Sequence, residues 1–218
     1  TTLTSDITQT GGSLGSVTLE GAGTATIASG ATISGTRMEI GSAFAVGGTR
    51  TLINDGAIIA DGVNTTGVRL NSIASATNNG TLRATNGGTL QILNSVTNFT
   101  NTGSIVAEGG SRVAISAANW TTTGTLTATG STIALSGNYS TAASGLATGL
   151  VTGDAASTLA LGGTADNTGQ TLRSDAFGGI IRFENGTLVG GTLDVIAPGQ
   201  INFSSSGNNA LDGVAVNS

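Results

Sequence analysis

The side chains able to do chemistry in this 218-residue chain are few and narrow in type. Histidine, cysteine and lysine are absent, and the seven basic residues are all arginine, set against twelve aspartates and glutamates. Without imidazole or thiolate there is no common transition-metal ligand set, no disulfide and no thiol nucleophile. What remains is carboxylate chemistry: two carboxyl groups about 5 to 9.5 Å apart can hydrolyse a glycosidic bond. Asp55 and Asp61 flank one alternating stretch, whereas Asp154, Asp166 and Asp175 fall in turns. Arg83, Arg173 and Arg182 are the strand-borne cations that a polysaccharide lyase would have to gather. No cluster of either kind is visible in the spacing, so the aspartates are read as solvated turn residues. A Gly-x-x-x-x-Gly-Lys phosphate loop cannot exist without lysine, and the glycine-aspartate nonapeptide of calcium rolls is absent. The expectation is no catalytic residue, no metal and no cofactor.

The elements that would position these groups must be built from unusual material. The chain has 36 glycines, one proline, 3% aromatic and 9% charged residues, with a net charge of −5. The glycines keep no three-residue period, which excludes a collagen helix, and the mean hydropathy of +0.22 excludes disorder driven by polarity. The scattered arginines and a pI near 4.4 leave no electrostatic footprint for nucleic acid. No stretch approaches the roughly 18 continuous apolar residues of a membrane-spanning helix, so no direct membrane insertion is expected.

The chain repeats itself. The phrase NNGTLRATNGGTLQI, residues 78 to 92, recurs as NTGSIVAEGGSRVAI from Asn101 and as TTGTLTATGSTIAL from Thr122, with degenerate copies before and after. The first apolar position of each copy falls at Ile58, Leu82, Ile105, Leu126, Leu150, Leu172 and Leu188. The second apolar pair runs Val68/Leu70, Leu90/Ile92, Val113/Ile115, Ile133/Leu135, Leu159/Leu161, Ile181/Phe183 and Leu193/Val195. Within each copy the alternation has period two, the signature of a strand. Each unit therefore holds two short strands separated by glycine turns, plus a looser third segment.

Units of 20 to 24 residues built of short strands and glycine turns predict an all-β fold, a parallel β-helix solenoid in which each unit is one coil. Equivalent strands stack at about 4.8 Å, so roughly ten coils make a rod on the order of 50 Å long. The whole of 1–218 is read as a single segment, degenerate over 1–53 and clearer over 54–218, and as part of a longer protein. Corners are expected to use glycine or asparagine for positive φ. Asn54, Asn78, Asn101 and Asn167 recur two residues before the repeat glycine, with Thr122 as the exception. They suit either a ladder of side-chain amides or simple turns. Phe99 and Trp120, four residues before that glycine and one coil apart, are expected to stack in a corner of the core; the alternative is a platform for sugar rings.

The repeat phrases resemble those of large secreted bacterial proteins: autotransporter passengers, filamentous-haemagglutinin-like exoproteins and related surface proteins with β-strand repeats. The resemblance covers most of the chain from Asn54 onward. It implies secretion, an extracellular or bacterial cell-surface location, a right-handed helix, and adhesion or scaffold roles, and it supplies no functional residues. The expected function is a non-catalytic structural rod. The alternatives are a self-assembling extracellular filament subunit and a polysaccharide-active β-helix enzyme. Expected partners are other copies or adjoining segments of the same protein, and cell-surface carbohydrate. The residues following the first core position include Ile59, Val106, Val151 and Val189, a candidate apolar stripe for lateral contact.

Overall fold

The computed structural model describes residues 1–205 and 208–218, and it is an all-β parallel solenoid of about nine turns with 53% of residues in strands. Each turn contributes a strand to each of three faces. The first face stacks Thr2–Leu3, Gly23–Ile27, Arg50–Asn54, Ser75–Asn78, Asn98–Asn101 and Asn119–Thr122. The second begins at Ile7–Thr8 and reaches Val151–Gly153 as its seventh strand, after which Thr171–Arg173, Thr192–Asp194 and Ala215–Asn217 form a further three-stranded sheet. The third climbs from Gly15–Thr18 to Gln200–Phe203. The looser third segment of the sequence reading is thus a full strand, the one on the first face. Residues 1–53, weak in sequence, hold two complete coils whose strands pair in register with those above.

Alternation decides which side chains enter the core. Along Thr81–Thr85, Leu82 and Ala84 point in, whereas Thr81, Arg83 and Thr85 remain half exposed. Stacked in register, the inward residues become columns: Ile33, Ile58, Leu82, Ile105, Leu126 on the second face, and Leu90, Val113, Ile133, Leu159 on the third. All nine are buried. Each such column removes aliphatic area from water at roughly 25 cal/mol per Å². This is how a chain with 3% aromatics still assembles one continuous core.

Three column assignments of the sequence reading are corrected. Leu150 is not the next residue above Leu126; Val151 is, pairing with it in register and buried. The cause is a loop of ten residues, 141 to 150, inserted at the corner between first and second faces. Leu146 of that loop is buried against the core, and the strand that follows enters with Val151 facing in. A one-residue slip turns every side chain to the other side of a sheet. Farther up, Thr158–Asp166 and Ile180–Val189 run without a break from the third face onto the first. Leu188 therefore belongs to the first-face column between Ala165 and Leu211. Leu193 pairs with Leu172 on the second face, and the third-face column above Ile181 and Phe183 continues with Ile201 and Phe203.

Candidate functional site

Asp55 and Asp61 sit at opposite ends of the Ala57–Asp61 strand. Asp55 accepts a hydrogen bond from the Asn79 amide at 2.8 Å, and Asp61 one from the Asn86 amide at 2.7 Å. Both asparagines belong to the next coil, so each carboxylate is a coil-to-coil clamp. Asp154 likewise reaches to another coil, taking the Gly130 N–H at 3.0 Å, together with the Ser157 hydroxyl at 2.5 Å in its own turn. That hydroxyl and then that amide hold its carboxyl below the ordinary range. Asp166 is lowered by the Thr168 amide, and Asp175 by the Arg173 guanidinium. A general acid for glycoside hydrolysis needs the opposite displacement.

The arginines are equally committed. Arg69 bonds Glu39 at 2.8 Å; Arg83 grips Glu108; Arg173 pairs with Asp175; Arg182 pairs with Glu184, which Arg112 faces at 3.9 Å. Arg37 and Arg50 donate to the Gly12 and Ser72 carbonyls. Among the described residues no group of three or more histidine, cysteine or acidic side chains gathers to hold a metal ion.

The four residues of the proposed stripe do not lie on one line. Ile59 and Val106 share a second-face row, where Arg83 separates them and Thr127 follows. Val151 points inward for the reason given above. Val189 lies on the first face beside Asp166. Phe99 and Trp120 are neighbours in register, and both are buried in the first-face column. Trp120 in turn meets the Tyr139 ring at a centroid distance of 6.0 Å. Sugar stacking needs an open ring face, which neither Phe99 nor Trp120 offers.

The asparagine column is a ladder. Asn54, Asn78 and Asn101 are register partners on adjacent first-face strands, each at most 2% exposed. The Asn54 amide donates to Asn78 Oδ1 at 2.7 Å, and the Asn78 amide to Asn101 Oδ1 at 2.7 Å. The Asn101 amide donates to the Thr122 hydroxyl at 2.9 Å, which closes the chain by donating to the Gly124 carbonyl. After the 141–150 insertion the theme resumes, with the Thr141 hydroxyl donating to Asn167 Oδ1 at 2.7 Å. Below Asn54 the same position is Ile27, and Asn54 Oδ1 is left buried without a donor. Such bonds polarise one another in a low dielectric. Asn78→Ala removes one partner from each side and should lower stability by about 2 kcal/mol or more, the cost of orphaning buried amide atoms. Asn78→Thr, which mimics Thr122, should recover part of it. Chemical denaturation of the two variants checks the order; equal loss would mean that the amide chain contributes nothing beyond volume.

The alternation of TTLTSDIT and ALDGVAV predicts strands in the first and last coils, and both hold them. At the N-terminal end the first coil is too thin to fill its own cross-section. It leaves a cavity of about 430 Å³ whose lining includes Leu3, Ile7 and Val17 as well as Ile27, Ile33 and Ile40 from the coil above. Beside it, the Glu20 carboxylate gathers the successive amides of Phe44, Ala45 and Val46, a backbone nest that holds the 44–46 loop outward. At the other end, all three inward columns terminate in the open: Phe203 is 51%, Leu211 37% and Val216 53% exposed. The signal in the sequence was the alternation of TTLTSDIT and ALDGVAV, which marks strands but not their exposure.

The chain matches no family model, no curated protein and no solved structure. Each carboxylate and guanidinium described above is already bonded within the rod, and the aromatic pair is inside. The sides of the solenoid present threonine, serine and paired charges, with exposed Leu14, Phe44, Val46 and Val63 in the lower coils and Phe203, Leu211 and Val216 in the last ones.

Proposed function

We propose that this chain is a non-catalytic structural rod of a secreted bacterial surface protein, serving adhesion or cell-surface assembly. The observation that carries the reading is the engagement of all seven arginines, five with carboxylates and two with backbone carbonyls. A lyase or an acidic-sugar receptor needs a cation free to meet its ligand, and each of these guanidinium groups has a partner within the chain, across coils for Arg69 and Arg83 and within the strand or turn for Arg173 and Arg182. The carboxylates with displaced titration are lowered, which suits clamps and not proton donors. The surface-protein part of the reading rests on the likeness of the repeat phrases to secreted bacterial exoproteins.

Two measurements test it. Small-angle scattering should give an elongated particle about 45 Å long per copy, from nine turns at the strand spacing. Incubation with neutral and acidic polysaccharides, with and without calcium, should release no products. A compact particle, or reproducible turnover abolished by a single aspartate or arginine substitution, would overturn the reading.

A further inference from the structure

The outward side of the first face differs from the other two. Over three successive coils its strands read SATN, NFTN and NWTT, without one charged residue, whereas strands of the same coils on the other faces carry Arg83, Glu108 and Arg112. The outward residues form two files, Ser75, Asn98 and Asn119 beside Thr77, Thr100 and Thr121, paired one to one without a bulge. Among the described residues the four hydroxyls of this grid take no hydrogen-bond partner within the chain, while the corner hydroxyls of Thr102 and Thr141 are each bonded to a neighbouring coil. We propose that this face binds ice, its unspent hydroxyls and amides meeting the oxygen lattice of a crystal surface. The inference goes beyond the rod reading and needs only its fold.

Spacing is the first reason. Adjacent strands set successive members of a file about 4.8 Å apart, and the two members on one strand, two residues apart, are separated by about 6.6 Å. These are close to the two repeats at which oxygen atoms recur on the prism face of hexagonal ice. The second reason is rigidity. Thr100 stands between Phe99 and Asn101, both buried, one in the aromatic column and the other in the amide ladder. Threonine is stiff at χ1, so the file of Thr77, Thr100 and Thr121 keeps its hydroxyls and methyls in a fixed order. The two asparagines are held in line as well, their amides donating to the Ala74 and Thr97 carbonyls at 3.3 and 3.2 Å.

The absence of charge is the third reason. An ammonium or carboxylate keeps a strong water shell of its own, which stands off an ordered lattice. A soluble sugar would ask for something else: a concave site, or an open aromatic ring to stack on. This face is an open sheet surface whose aromatics, Phe99 and Trp120, point inward. Each water contact is weak, and only a repeating partner in register with the whole grid adds them up.

The experiment is nanolitre osmometry on the 218-residue chain at increasing concentration. A freezing point below the melting point is expected, with a gap that widens with concentration and crystals that grow facets. Thr100→Lys and Thr121→Lys each put a hydrated cation in the grid and should lose most of the gap. Thr127→Lys makes the same change at an outward position of the second face and should keep it. Denaturation midpoints near that of the parent show that the three variants fold, and the two grid positions duplicate the test should one of them fail to. A parent chain that gives round crystals and no gap overturns the inference, as does a gap that the three lysine variants share equally. Retention of the parent on an insoluble neutral polysaccharide, lost in Thr100→Lys and without any freezing gap, would give the face to a glycan and overturn the ice assignment too. None of these results would touch the rod reading, which falls only with the scattering or turnover outcomes above.

Discussion

Leu126→Asp is expected to abolish the folded state of the central coils. Leu126 is 0% exposed, and its neighbours up and down the column are Val151 and Ile105. Among the described residues the buried polar groups are amides and hydroxyls without a single charge, so the new carboxylate would find no cation. An uncompensated buried carboxylate costs several kcal/mol, a large share of the roughly 5–15 kcal/mol that holds an ordinary domain together. The loss should spread, because in a solenoid each coil is stabilised chiefly by its neighbours. Two controls separate charge from shape. Thr127→Asp, on the outward half-exposed position of the same strand, should fold with a midpoint near that of the parent. Leu126→Asn keeps the shape of Asp without its charge. Burial raises the folded-state pKa of the new Asp, so the penalty grows with pH from the unfolded value up to the folded one and is large at neutral pH. The penalty shrinks as pH falls toward the unfolded value of about 3.9. The gap between the Asp and Asn variants should narrow over that window. A folded Leu126→Asp rod with parent-like cooperativity at pH 7 would mean that Leu126 is not in the core.

How much of this was legible in the sequence depended on whether pattern alone could decide. Leu90 and Ile92 were assignable because Thr89 and Gln91 alternate with them and the Gly87–Gly88 turn fixes where the strand begins. Leu150 and Val151 are adjacent and both apolar, so alternation could not choose between them. The pairing register decides it: after the 141–150 insertion, whose Leu146 is buried, Val151 stands over Leu126. The phrase NGTLVGGTLDV repeats the wording of NNGTLRATNGGTLQI, yet it sits one face earlier. Its Leu188 continues a strand that began at Ile180, whereas Leu82 opens a new one. The asparagine spacing was visible, but spacing alone could not tell a turn residue from a rung. Burial of Asn54, Asn78 and Asn101 decided it.

The glycines of the lower corners, Gly56, Gly80, Gly103 and Gly124, show the same limit, and they yield the second large effect. Sequence reasoning assigned corner glycines to positive φ, which is true of Gly109 and Gly110 but not of Gly56, Gly80, Gly103 and Gly124. Those four stack one above another where the first face turns into the second, and there the coils approach backbone to backbone. A Cβ on Gly103 would lie 2.2 Å from the Gly80 carbonyl oxygen and 2.6 Å from the Asn79 carbonyl group. On Gly124 it would lie 2.0 Å from the Gly103 oxygen, and on Gly80 2.1 Å from that of Gly56. The obstructing atoms cannot swing aside, because the same stretch carries the ladder: Gly103 N–H donates to Asn78 O at 3.0 Å and Ser104 N–H to Gly80 O at 2.9 Å. Relief requires prising two coils apart, breaking those bonds and the asparagine rung beside them. Gly103→Ala should therefore cost several kcal/mol, among the large effects that strain and overpacking produce. Gly110 has φ of 74° and open space around its missing Cβ, so Gly110→Ala should cost only the left-handed penalty of about 1–2 kcal/mol. A rule based on φ alone predicts the reverse order. Denaturant midpoints of the two variants decide it, and a Gly103→Ala rod as stable as Gly110→Ala would remove close coil contact as the reason for that glycine.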